Sequence, residues 1–140
     1  MDINAPITSI MSVDVLTVEP DDKLVKVKEI FNSNHIHHVP VVHGEELVGI
    51  IAQSDLKHFY RGMQKSDYDK MLENSRLNNY TAEDIMTTGL STLSSDHRIA
   101  AAIELFKQNR YHAIPIVDDG KLVGMVTSFD IISALSEDSA

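Results

Sequence analysis

The feature that most restricts this chain is an internal repeat. Sliding the sequence by 75 residues lays positions 10–60 on 85–135 without a gap, and fourteen of the 51 pairs are identical. Unrelated segments of similar composition would match at roughly three. Ile10-Met11 falls on Ile85-Met86, Thr17 on Thr92, Asp21 on Asp96, Glu29 on Glu104 and Phe31 on Phe106. Asn34 meets Asn109, His37 meets His112, Pro40 meets Pro115, Leu47-Val48-Gly49 meets Leu122-Val123-Gly124, and Asp55 meets Asp130. Apolar swaps such as Val39/Ile114 and Ile51/Val126 extend the match. The chain is a duplication.

Each copy reads as β-α-β-β-α. Val15–Val18 and Leu90–Leu93 are short apolar runs expected to be strands. A helix follows each, with Asp21/Asp22 or Ser95/Asp96 placed to cap it by accepting its unpaired N–H groups. Leu24, Val27, Ile30 and Phe31 share one helical face, as do Ile99, Ala102, Ile103 and Phe106. Two strands follow, Val39–Val42 then Leu47–Ala52, and likewise Ile114–Val117 then Leu122–Thr127. The turns His43–Glu46 and Asp118–Lys121 join them as hairpins. Pro40 and Pro115 lack the N–H a ladder needs, so each is expected to start or edge its strand. Final helices carry Asp55 and Asp130 in their first turns. Residues 61–79 are polar, with Met71, Leu72 and Leu77 as apolar contacts, and read as a linker with a short helix on the outside. Thr81-Ala82-Glu83-Asp84 is a capping signal for a helical turn ending near Met86.

Composition narrows the function. Hydrophobic residues make up 43% of the 140 positions, enough for a core without covalent staples. Cysteine is absent, which removes disulfides, Cys-ligated zinc and a thiol nucleophile. The formal charge of −9 argues against nucleic acid, whose phosphates need a basic surface. The basic groups Lys23/Lys26/Lys28 and Arg61/Lys65 read as solvated helix and linker surface. The first six residues have neither the basic nor the apolar region of a signal peptide. No apolar run approaches the roughly 18 to 20 residues of a membrane span. A cytoplasmic protein without membrane association is expected.

Catalytic motifs are missing: no nucleophile elbow, P-loop, dinucleotide fingerprint or His-Glu-x-x-His run occurs. His35, His37, His38 and His43 suggest metal, since histidines two apart on a strand share a face. No nearby carboxylate is clearly aimed at them and the second copy keeps only His112, so surface or cleft histidines are the expectation. Met63, Met71 and Met86 read as packing residues, and Phe31 and Phe106 as core anchors. Asp55 and Asp130 also suit helix-terminal acids facing the dipole.

The repeat, the His-x-h-Pro entry at His37–Pro40 and His112–Pro115, and the closing Gly124-Met125-Val126-Thr127-Ser128-Phe129-Asp130-Ile131 resemble a CBS domain (cystathionine-β-synthase type). Two in tandem resemble the CBS pair. The resemblance implies an α/β fold of two β-α-β-β-α repeats packed with pseudo-twofold symmetry. Repeat 1 would span 7–60, the linker 61–81 and repeat 2 82–136. It also implies clefts between the repeats that take AMP, ADP or ATP, or less readily S-adenosylmethionine. The intact motif places a nucleotide at Thr127, Asp130 and Met125, completed by Met11, Val15, Leu16, Ile36 and His37. A possible second site uses Asp55, Met86, Leu90, Tyr111 and His112, but there Ala52 stands where Thr127 stands in repeat 2.

Such a site has a physical logic. A carboxylate at a helix start can accept hydrogen bonds from both ribose hydroxyls, and a threonine three residues earlier adds a hydroxyl. Free N–H groups at the helix start favour anions, and branched apolar strands can sandwich a purine. Few basic residues lie near the clefts beyond His37, His38, His112 and Arg110, which favours a monophosphate. The resemblance thus implies an energy-sensing regulatory module, a homodimer acting on an unidentified protein, with no catalytic residue, metal or required cofactor. The alternative is a ligand-free dimerisation or protein-interaction scaffold; a metal-dependent hydrolase stands third.

Overall fold

The computed structural model describes residues 1–59 and 67–138. The chain divides into two compact units, one of residues Leu16–Leu90 and one of Met1–Val15 with Ser91–Ala140. The division does not follow the sequence repeats. The first fifteen residues fold with the second copy, and residues up to Leu90 fold with the first.

In the Leu16–Leu90 unit the order is α1 (Leu24–Ser33), β1 (His38–His43), β2 (Glu46–Ala52), α2 (Gln53–Phe59), α3 (Asp67–Asn79) and α4 (Ala82–Ile85). The other unit opens with a 3-10 turn at Ile7–Ser9, then α5 (Ile99–Lys107), β3 (Ala113–Asp118), β4 (Lys121–Thr127) and α6 (Ser128–Asp138). The helix faces are those the periodicity predicts. Leu24, Val27 and Phe31 are buried with Val39, Val41, Ile51 and Leu56 in one core. Ala102, Ile114, Ile116 and Val126 are buried with Ile7 and Ile131 in the other, where Phe106 is only partly covered. Among the described residues no polar or charged residue is fully buried.

The hairpins match residue for residue. Each is antiparallel, and each is irregular at the same repeat position, between Val41 and Val42 and between Ile116 and Val117. The turns differ in chemistry. Gly44 has φ +65 in one, while Asp119 (φ 51) and Gly120 (φ 80) both take the left-handed conformation in the other. Asp-Gly suits a two-residue turn in which both central residues need φ above zero.

The expected first strands shrink to single bridges. Val18 pairs with Val41 and Leu93 with Ile116, both parallel. Val18 N–H donates to the Pro40 carbonyl at 3.1 Å, and Val42 N–H donates to the Val18 carbonyl at 2.8 Å. Pro40 has no N–H to carry the ladder further, and Glu19-Pro20 turns the chain away. Each proline is the third residue of its strand rather than the first.

The helix caps also differ from expectation. No side chain caps α1 or α5. Asp22 instead accepts the Glu19 N–H at 2.7 Å and the Lys26 ammonium at 3.1 Å. Ser95 donates to Asp118, and Asp96 bonds the Ser94 hydroxyl. The free helix N–H groups are met by backbone carbonyls. Leu24 N–H donates to Tyr80 O and Ile99 N–H to Ala5 O, both at 3.0 Å; Ala82 N–H donates to Asp22 O at 2.8 Å and Ile7 N–H to His97 O at 2.9 Å. Tyr80 and Ala5 are repeat equivalents, so the segment preceding each copy caps the helix of the other. That explains the composition of the two units.

The linker is less external than expected. Leu77 of α3 is 2% exposed and belongs to the core, whereas Met71 and Leu72 are exposed. Lys28 of α1 bonds Glu73 of α3 at 3.2 Å, and Lys26 bonds Asp22, so these two lysines lie on a paired, solvated surface. Arg61, Met63 and Lys65 lie outside the described residues. The capping signal is present: the Thr81 N–H donates to the Asp84 carboxylate at 2.8 Å and opens α4.

Candidate functional site

In the unit built on repeat 2, β4 runs directly into α6, so Thr127 ends the strand and Asp130 enters the first helical turn. The two residues bond to each other. Thr127 N–H donates to Asp130 Oδ2 at 2.8 Å, and Asp130 N–H donates to Thr127 Oγ1 at 3.2 Å. This reciprocal pair satisfies helix-start N–H chemistry in the manner of a capping box. It also fixes the carboxylate: one oxygen is held by backbone, and among the described residues Oδ1 and the Thr127 hydroxyl proton take no further bond. Ser128 N–H donates to the His112 carbonyl at 3.2 Å, anchoring the strand-helix junction.

The Met11-Ser12 segment meets Gly124-Met125 in the same unit. Ser12 N–H donates to the Met125 carbonyl at 2.9 Å and Met125 N–H to the Ser12 carbonyl at 3.0 Å. Met11 crosses over Gly124, where a Cβ would lie 2.8 Å from its sulfur. The close approach explains the glycine of the motif, since a side chain there would displace the crossing segment. Thr127, Asp130, Met125, Met11 and Val15 therefore share one unit, together with Tyr111 and His112. Leu16, Ile36 and His37 belong to the other.

The Leu16–Leu90 unit repeats the arrangement with one part missing. Ala52 N–H donates to Asp55 Oδ2 at 2.7 Å, so the carboxylate is oriented as in repeat 2. Alanine supplies no hydroxyl for the Asp55 N–H. Gln53 N–H donates to the His37 carbonyl at 2.8 Å, and the His37 ring nitrogen Nδ1 lies 3.3 Å from Gln53 Oε1. Met86 crosses Gly49, with Thr87 and Ile50 exchanging two backbone hydrogen bonds at 2.9 and 3.0 Å. Asp55, Met86 and Leu90 share this unit; Tyr111 and His112 do not.

Two details escaped the sequence. Ser91 donates to the Tyr111 hydroxyl at 2.8 Å, a pair with no counterpart because repeat 1 has Leu16 and Ile36 there. Ser12 and Thr87 act through their backbone. The identity of Ile10-Met11 with Ile85-Met86, beside two matching Leu-Val-Gly runs, was the available signal. Among the described residues no group of three or more histidines or acids could hold a metal ion, and no helix is long and apolar enough to cross a membrane. His35, His37 and His43 are exposed.

Two hairpin-and-helix copies, each ending in an oriented aspartate, define a tandem repeat module. The family model of the CBS domain matches residues 7–62 and 82–137, and the chain belongs to that family. The protein MJ1225 of Methanocaldococcus jannaschii is 26% identical over 139 residues, 99% of this chain but 45% of that protein. The chain thus spans about half the length of this relative. CBSX2 of Arabidopsis thaliana, solved in complex with AMP, superposes with a TM-score of 0.79 at 20% identity, covering 97% of this chain and 99% of that one. The CBS domain pair of protein MJ0100, solved with 5′-methylthioadenosine and S-adenosyl-L-methionine, gives a TM-score of 0.73 at 26% identity, covering 94% and 99%.

Proposed function

We propose that this chain is a regulatory module that binds an adenosine-type ligand, AMP first among them, at Thr127 and Asp130. The observation that carries the reading is the reciprocal Thr127–Asp130 pair. It holds one carboxylate oxygen with backbone and presents the other, beside a hydroxyl, at the start of an eleven-residue helix. A ribose offers two adjacent hydroxyls to such a carboxylate. Met11, Val15 and Met125 supply apolar contact from the same unit. The adenosine ligands held by CBSX2 and by MJ0100 support the class. Ligand binding then alters a partner's activity in proportion to its different affinity for two states of the module, since equal affinity shifts nothing.

The test is a thermal-shift panel of AMP, ADP, ATP and S-adenosylmethionine on protein shown to be free of nucleotide. A ligand at about 100 times its Kd adds roughly 2.7 kcal/mol, a visible displacement of Tm. A shift with AMP that exceeds the others supports the reading. No shift with any of the four would leave a ligand-free scaffold as the better account.

A further inference from the structure

Asp22 and His97 are repeat equivalents that fill one role with different chemistry. Asp22 accepts the Glu19 N–H on its carboxylate at 2.7 Å, and its carbonyl accepts the Ala82 N–H at 2.8 Å. In the other unit His97 Nδ1 accepts the Ser94 N–H at 3.0 Å, and the His97 carbonyl accepts the Ile7 N–H at 2.9 Å. Each residue thus closes the turn ahead of a helix and grips a distant segment, through Ala82 in one unit and Ile7 in the other. Ile7 is fully buried, and the bonds from Ile99 to Ala5 and from Ala100 to Ile3 continue the grip along the first segment. The two acceptors respond differently to acid. A carboxylate stays an acceptor well below neutrality, whereas an imidazole nitrogen gives up its lone pair to a proton near neutral pH.

We propose that His97 is a proton-operated latch on the first segment of the chain. Neutral His97, with its hydrogen on Nε2, holds the Ser94 N–H through Nδ1. The Ser94 hydroxyl lies 2.8 Å from the same nitrogen and also bonds the Asp96 carboxylate. A protonated Nδ1 therefore has its acceptor in place. It donates to Ser94 Oγ, the hydroxyl donates on to Asp96, and Asp96 Oδ1, 3.9 Å from the ring nitrogen, balances the charge. The Ser94 N–H then faces another N–H and loses its bond. One set of atoms carries two hydrogen-bond patterns, and a single proton selects between them. Solvent reaches the ring, which is 46% exposed. Other charged groups on the surrounding elements are Arg98 at the start of α5, Asp118 of the hairpin, held by Ser95, and Asp2 and the Met1 amine of the first segment. Release of Ser94 loosens the turn whose last carbonyl holds Ile7, and Ile7 leads to Ser12, the backbone partner of Met125. Repeat 1 keeps its bond at the same pH, and the latch needs no nucleotide.

NMR of the full chain from about pH 8 to about pH 5 reads the latch residue by residue, through amide protection factors and imidazole nitrogen shifts. In wild type the Ser94 and Ile7 amides are expected to lose protection as the His97 ring titrates, while Glu19 and Ala82 keep theirs. At the alkaline end Nδ1 of His97 is expected to carry no hydrogen. His97→Asp installs the acceptor of repeat 1 and is expected to hold the Ser94 N–H across the whole range. Constant protection at either Ser94 or Ile7 in wild type would overturn the proposal, as would a hydrogen on Nδ1 at the alkaline end. An equal loss of protection in His97→Asp would overturn it too, because the response would then originate at another group.

Discussion

Met11 lies across Gly124 so closely that a Cβ on the glycine would meet its sulfur at 2.8 Å and the Ser12 carbonyl oxygen at 2.9 Å. The equivalent pair in the other unit, Met86 and Gly49, is closer still at 2.5 Å, but the three nearest atoms there all belong to the methionine side chain. The distinction matters because a thioether can rotate away and a hydrogen-bonded carbonyl cannot. Gly124→Ala is therefore expected to cost about 1–3 kcal/mol, the range for overpacking. Gly49→Ala is expected to cost less, and Met86→Ala should recover part of the loss. Urea denaturation of the single and double variants measures both; equal costs at the two glycines would contradict the geometry.

The linker helix contributes to the core through one residue. Leu77 is 2% exposed, so Leu77→Ala is expected to lose roughly 2–5 kcal/mol. Met71 is exposed, and Met71→Ala should fall within about 0.5 kcal/mol of wild type. The same denaturation measurement separates the two. A small effect at Leu77 would mean that α3 is only an external tether.

Acid should loosen the fold at identifiable carboxylates. The Ser95 hydroxyl and N–H together hold the Asp118 carboxyl below its ordinary value of 3.8, against the opposing effect of burial. At Asp22 burial acts upward, but the Glu19 N–H and the Lys26 ammonium outweigh it, and the net shift is again down. A carboxylate with a lowered folded pKa stabilises the fold fully above its unfolded pKa and ceases to do so as pH falls through the folded value. Stability contributed by these groups should thus be level from neutrality to about pH 4 and decline below it. Ser95→Ala should reduce that decline by returning Asp118 toward its ordinary value. Tm measured against pH for wild type and variant shows whether it does.

Thr127 and Ala52 offer a natural comparison. Thr127→Ala makes repeat 2 resemble repeat 1 at this position, removing an acceptor for the Asp130 N–H. The expected loss is about 0.5–2 kcal/mol, the usual value of a helix-start hydroxyl. Ala52→Thr is expected to gain a smaller amount, provided its hydroxyl reaches the Asp55 N–H. No change in Tm for Thr127→Ala would mean that the 3.2 Å bond carries no stability.

The parts of this fold that rest on side-chain pattern were legible in the sequence. Leu24, Val27 and Phe31 announce a helical face, Asp119-Gly120 a tight hairpin, and Thr81 with Asp84 a helix start. What escaped rests on backbone. The bonds from Leu24 to Tyr80 and from Ile99 to Ala5 join main-chain atoms far apart in sequence, and any residue but proline could make the donor. The exchange of first segments between copies consequently left no mark except a repeated Ile-Met. The first strands were overestimated because apolar runs do not reveal that Val18 and Leu93 pair beside Pro40 and Pro115, whose missing N–H ends the ladder. At the site, the 3-residue spacing of Thr127 and Asp130 was visible, but not that each is the other's hydrogen-bond partner. That spacing suits a helix cap and a ribose clamp equally.

Titration calorimetry with AMP shows whether Asp130 receives the adenosine ligand proposed for it. Asp130→Asn keeps an acceptor for the Thr127 N–H while removing the charge, so it preserves the junction; Asp55→Asn is its repeat-related control. Wild type and Asp55→Asn are expected to bind, and Asp130→Asn to lose binding with the fold intact by circular dichroism. Unchanged affinity in Asp130→Asn, or no heat of binding from nucleotide-free wild type, would contradict it.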